Sequence, residues 1–320
     1  MSESHPNSPS HKTAWERDTL ERLAFATLAE QRASRRWRIF FRFAWLVVAV
    51  VLVWTGVAKS GVGGSNPSQP HTAVVAIKGE IADGADASAE WVVTALRAAF
   101  EDEGSQAVVL QINSPGGSPV QAGIINDEIR RLKAKHNKPV YAVVEESCAS
   151  AAYYIAVSAD SIYVDKASIV GSIGVLMDGF GFTGLMDKLG VERRLMTAGV
   201  NKGFLDPFSP QSKTQRAHAQ TMLDQIHQQF IQVVRDGRGK RLKETPELFT
   251  GLFWSGEQAV ELGLADGLGS VDYVAREIVK AEDVIDYTRH ENVAERLAKR
   301  FGAALGEGAV HALQSVPAVR

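Results

Sequence analysis

The chain has 320 residues, of which 45% are hydrophobic and 22% charged, so it is long enough for one large or two ordinary domains and is neither disordered nor fibrous. Its 35 basic and 37 acidic residues leave a net charge of −2, which disfavours a basic nucleic-acid binder. A single cysteine, Cys148, excludes an intramolecular disulfide framework and a multi-cysteine metal site, but leaves either side of a membrane open. Five segments follow in chain order. Residues 1–36 are polar and charged, with helix-compatible stretches. Residues 37–58 carry Trp37, Trp45 and Trp54 and no charge between Phe43 and Ala58. With Arg42 snorkelling, this stretch approaches the roughly 20 residues that span a hydrocarbon core. Arg32, Arg35, Arg36, Arg38 and Arg42 precede it and only Lys59 follows closely, which sets the N-terminus in the cytoplasm and the rest outside. A buried core helix and a cleaved signal ending near Gly56-Val57-Ala58 are the competing readings; the long lead disfavours cleavage. Residues 59–71, rich in Gly, Ser, Asn and Pro, form a tether.

Residues 72–282 alternate strand and helix signals. Apolar β-rich runs at Ala73–Ile77, Ala107–Ile112, Pro139–Val144 and Ile162–Val164 are separated by helical patterns at Ala87–Glu101, Pro119–Lys135 and Ala149–Ser158. Further helices are predicted over Gln211–Arg235, Gly256–Leu262 and Asp272–Lys280. The rhythm predicts an α/β fold with a parallel sheet and a functional edge at the strand C-termini. Residues 283–320 form a tail, in which Val293–Leu305 has an amphipathic pattern with Arg296, Lys299 and Arg300 to one side.

Four loops carry candidate chemistry. Asn113-Ser114-Pro115-Gly116-Gly117-Ser118 joins a buried strand to a helix, where glycines admit a ligand to the backbone and N–H groups favour an anion. It lacks the Gly-Lys-Ser/Thr ending of a phosphate loop, and taken alone it is also an ordinary tight turn. Ser150 lies among small residues where a strand meets a helix, the logic of a nucleophile elbow without its Gly-x-Ser-x-Gly pattern; a plain helix N-cap reads the same way. Cys148 reads as a small buried thiol. Ser168–Val175 is a strand and turn punctuated by Gly and Ser, which presents the Ser172 hydroxyl or merely bends the chain. Thr197–Phe208 holds one lysine, Lys202, in a small and apolar neighbourhood; it is a general base or a solvated loop lysine.

Together, the order and spacing of these loops resemble the signal peptide peptidase SppA family of serine peptidases in its short, single-domain form. The matching residues are Asn-Ser-Pro-Gly-Gly at 113–117, Ala-Ser-x-x-Tyr-Tyr-Ile-Ala at 149–156, Gly-Ser-Ile-Gly-Val at 171–175, the Lys202 loop, Gly256–Ala259 and Leu262–Asp266. The resemblance implies a ClpP/crotonase-like fold behind an N-terminal transmembrane helix, and a Ser–Lys dyad needing no cofactor. Ser150 matches the nucleophile, Lys202 the general base and Ser172 a hydroxyl that orients the lysine. Gly116 and Gly117, with an N–H at or after Ser150 such as that of Ala151, match the oxyanion hole. It further implies peptide substrates such as remnant signal peptides, a single-pass protein of the bacterial inner membrane with its peptidase domain in the periplasm, and a homo-oligomer whose lysine can come from a neighbouring protomer. One departure stands out: the family carries Gly-Gly after the nucleophile and this chain has Ala151-Ala152, tolerable where φ stays negative.

The histidines do not offer a rival site. His71, His136, His218, His227 and His290 fall outside the four loops, and none has zinc-peptidase spacing. Two other classes stay open: a crotonase-like enzyme acting on an acyl-CoA thioester, and a membrane-anchored scaffold without catalysis. The first does not need both Ser150 and Lys202, and the second does not need either.

Overall fold

The computed structural model describes residues 36–51 and 69–289. They belong to two compact units, Met1–Ser65 and Asn66–Arg320. In the first, residues 36–51 form a helix, α1, whose large apolar side chains, Trp37, Phe43 and Trp45 among them, are exposed. No helix among the described residues is long and apolar enough to cross a membrane. The rest of the expected anchor (52–58), the polar lead (1–35), the Ser60–Ser68 stretch of the tether and the predicted tail helix (293–305) lie outside the described residues.

The second unit is built on one sheet. Its elements in order are β1 (His71–Lys78), α2 (Ala89–Glu101), β2 (Ser105–Ser114), α3 (Pro119–His136), β3 (Val140–Ala149), α4 (Ala151–Ala156), β4 (Ser161–Val164) and β5 (Ile169–Gly171). There follow α5 (Thr183–Leu189), α6 (Lys213–Arg238), β6 (Phe253–Ser255), α7 (Gly256–Glu261) and β7 (Gly267–Leu268). Last come α8 (Val271–Tyr273), continuing as a π-helical turn over Val274–Val279, and β8 (Val284–Asp286). The strand order is β6-β5-β3-β2-β1-β8, with β4 beside β3 and β7 beside β4. All pairings are parallel except β5 with β6. This is the mixed α/β architecture expected for a ClpP/crotonase-like chain.

Parallel strands covered on both faces read as continuous apolar runs, which is why β1 to β4 were visible in the sequence. α2, α3 and α4 cover one face and make the main core with Val75, Ile77, Leu110, Ile112, Ala142 and Val144. α3 begins at Ser118, whose hydroxyl accepts from the Gln121 amide, with Pro119 in the first turn.

β3 positions the site. Its first half, Tyr141–Val143, pairs with β4 and its last three residues, Ser147–Ala149, pair with β5. The sheet therefore forks along β3, and the chain after Ala149 emerges at the fork. Two expectations need correction here. β3 runs five residues beyond Val144, because Glu145, Glu146 and Ser147 continue the strand alongside β5 despite their polarity. The following helix is also shorter than Ala149–Ser158, since Ser150 interrupts the strand-to-helix passage with φ 54° and ψ −122°.

Candidate active site

Ser150 is one of five described non-glycine residues with positive φ. The combination 54°/−122° is natural for glycine and strained for an L-residue, by about 1–3 kcal/mol. Backbone bonds hold it in place: its N–H donates to the Gly171 carbonyl (2.8 Å) and its carbonyl accepts from Tyr154 (3.0 Å). Although it stands at the N-cap position of α4, its side chain makes no capping bond. The plain N-cap reading therefore fails, and the hydroxyl is turned into a cavity of about 700 Å³.

The 113–118 loop folds against that serine. Gly116 (φ 106°) packs so closely that a Cβ there would stand 2.7 Å from both the Ala149 carbonyl oxygen and the Ser150 Cβ. At Gly117 (φ 148°) a Cβ would fall 2.2 Å from the Ile81 carbonyl oxygen. The Ile81 N–H donates to the Gly116 carbonyl (2.9 Å) and the Ser118 N–H to the Ile81 carbonyl (2.7 Å), which pins the loop. The three amides nearest the expected oxyanion hole then separate. That of Gly116 donates to the Ser114 hydroxyl at 3.1 Å. Those of Gly117 and Ala151 meet no acceptor among the described residues, and both residues line the cavity. Ala151 and Ala152 are buried in the first turn of α4 and neither has positive φ, so the methyl groups in place of Gly-Gly sit without backbone strain.

Ser172 joins Ser150 at the cavity wall. It too has positive φ (51°), and its N–H donates to the Leu252 carbonyl at 2.7 Å. Cys148, two residues before Ser150, is fully buried, and burial pushes its thiol far above the ordinary range, so it offers no thiolate. Lys202 is the residue that one chain does not bring in. It lies in a turn, its N–H donating to the Gly199 carbonyl (3.0 Å), exposed and absent from the cavity wall.

Sequence reading missed the opposite wall. α6 contributes Leu223, Ile226, Gln229 and Phe230 to the cavity, and Phe230 stacks at 5.3 Å against Tyr154 of α4. The signal was present as apolar residues at 223, 226 and 230 on one helical face, but a helix of ordinary core packing shows the same spacing. His227 was set aside with the other histidines, yet its Nε2 donates to the Ile173 carbonyl (3.1 Å) and ties α6 to the Ser172 turn. Among the described residues, no cluster of three or more His, Cys, Asp or Glu side chains is placed to hold a metal ion.

Comparison with known proteins gives this arrangement a context. The family model for peptidase family S49 matches residues 132–285. A protein of Methanocaldococcus jannaschii named as a protease is 32% identical over 214 residues, 65% of this chain and 68% of that one. Protease 4 of Haemophilus influenzae is 33% identical over 221 residues, 67% of this chain and 35% of its own. A Brucella melitensis protein named as the Na(+)/H(+) antiporter NhaA is 48% identical over 176 residues, 55% of this chain; the match spans only 24% of the antiporter's length.

Proposed function

The chain belongs to peptidase family S49, and on that premise we propose that it is a membrane-anchored serine endopeptidase that cleaves remnant signal peptides and similar apolar, unfolded segments. The observation that carries this reading is Ser150: a strained serine at the fork of the sheet, its hydroxyl capping nothing and facing an apolar-walled cavity. Strain of this kind persists where surrounding bonds fix it, and it clusters at reactive sites.

The chemistry runs as acyl transfer. Ser150 Oγ attacks the substrate carbonyl while its proton passes to the amine of Lys202. The Gly117 and Ala151 amides donate to the developing oxyanion. The intermediate collapses, and the leaving amine takes the proton back from Lys202. Water then attacks the acyl-ester, giving its proton to Lys202, and Ser150 is released. Ser172 orients the lysine. Lys202 comes from a neighbouring copy, because within one chain it stands outside the cavity wall. The basic lead and apolar 37–58 segment hold the N-terminus in the cytoplasm and the peptidase unit in the periplasm, beside peptides released at the membrane.

A quenched fluorescent apolar peptide and detergent-solubilised protein test this. Ser150→Ala and Lys202→Ala each abolish turnover, and His218→Ala does not. Mixing the two inactive variants with subunit exchange restores part of the activity, since hybrid sites pair an intact Ser150 with an intact Lys202. The rate rises with pH, because the base form of the lysine is the reactive one. Full activity in either dyad variant, or an acid optimum, overturns the mechanism.

A further inference from the structure

The second face of the sheet is only partly covered. α8 and the π-helical turn pack Val271, Val274 and Ile278 onto Val74, Val109 and Val143. Beside them lies a second groove of about 630 Å³, remote from the Ser150 cavity and sharing no lining residue with it. Its floor includes Val74, Val143 and Val284, and Val284 is 42% exposed. Parallel sheets are almost always covered on both faces, so this opening lacks a layer.

We propose that the chain's own C-terminal segment, Val293–Leu305, docks in this groove as the missing cover. Three observations select it. The first is connection: Val284 and Asp286 line the groove, so the chain leaves β8 at the groove itself and the segment begins seven residues after Asp286. The second is pattern. Val293, Leu297, Phe301 and Leu305 recur at every fourth position, an apolar face about 20 Å long as a helix, while Arg296, Lys299 and Arg300 lie to its other side. The third is charge. The groove is lined by Asp165, Asp272, Asp286 and Glu145 against one base, Lys166. Glu145 is answered by Lys78 at 3.1 Å, but the three aspartates leave an excess of negative charge that a basic helix edge complements. Apolar contact supplies the stability and the charges set the orientation, since rim ion pairs are weak singly.

Disulfide trapping in the full-length protein tests this independently of peptidase activity. The native thiol is buried and does not compete. In Lys166→Cys/Ala294→Cys, mild oxidation closes an intrachain disulfide about tenfold faster than in Thr250→Cys/Ala294→Cys, where the first cysteine lines the Ser150 cavity, because docking raises effective concentration. Adding Arg296→Glu, Lys299→Glu and Arg300→Glu removes that advantage, and Asp272→Lys with Asp286→Lys restores it. Equal rates at the two positions, faster closure at Thr250→Cys, disulfides only between chains, or protection of Ala294→Cys from a soluble maleimide only when phosphatidylglycerol vesicles are present would each overturn the proposal.

Discussion

Ser150 carries two opposed demands, and they separate by substitution. Its backbone geometry suits glycine, whereas its chemistry needs a hydroxyl. Ser150→Gly therefore removes all turnover and raises unfolding free energy by about 1 kcal/mol, read as a higher urea midpoint at unchanged slope. Ser150→Ala keeps the strain and gives no such gain. A Ser150→Gly protein no more stable than Ser150→Ala would show the strain to be illusory. The Gly117 position makes the complementary case. Gly117→Ala drives a methyl to 2.2 Å from the Ile81 carbonyl and displaces the amide assigned to the oxyanion, so kcat falls about 10²–10³-fold in a folded protein. Gly84→Ala, also at positive φ but in open space, leaves kcat unchanged and costs only stability.

At the scale of elements, the wall opposite Ser150 depends on a clamp at the far end of α6. Arg238, 1% exposed, donates two hydrogen bonds to Asp266 (2.8 and 2.9 Å) and one to the Gly263 carbonyl (2.8 Å). Asp266 also accepts from the Ile162 amide at the start of β4 (2.7 Å). Burial alone raises the Asp266 carboxyl, but the Arg238 and Ile162 bonds outweigh it and hold it below the usual carboxylate range. A depressed folded value means that the contribution is complete above the unfolded value of about 3.9 and is lost as pH falls through the folded one. Asp266→Ala strands the buried guanidinium and costs about 3–5 kcal/mol at neutral pH. Urea midpoints measured from pH 7 to pH 2 converge for wild type and variant as the acid limit is approached; a gap that persists undiminished argues against the clamp. This clamp also marks where sequence reading stopped. Leu262–Asp266 was recognisable as a motif, but its partner lies 28 residues away on a helix, and no local spacing reveals a pairing made in three dimensions. Strands buried on both faces were legible. The polar end of β3, the short β8 and the Ser150 break were not, since each is fixed by a neighbour in the sheet rather than by its own composition.

The single chain is incomplete as a whole molecule in one respect: the arm between β5 and α6. It displays Leu176, Phe180, Met196 and Val200 at 80%, 79%, 94% and 96% exposure, and it carries Lys202. Scattered exposed apolar residues are normal in a monomer, but a run of them on one segment marks a contact surface. The arm's internal packing is sparse, a short α5 with no buried residue and a stacked Phe182–Phe208 pair at 5.4 Å, so its conformation needs support from outside. A neighbouring copy supplies that support under the proposed mechanism, and the same contact delivers the lysine. Assembly and activity must then fail together. Met196→Asp with Val200→Asp places two charges on the most exposed apolar positions, while the core and the Ser150 fork are untouched. The expected result is a smaller particle by light scattering, a wild-type circular dichroism spectrum and a rate at the level of Lys202→Ala. Raising the protein concentration recovers size and rate in parallel, because a weakened interface is still driven by mass action. A dissociated variant that retained full turnover would mean that Lys202 reaches Ser150 within its own chain.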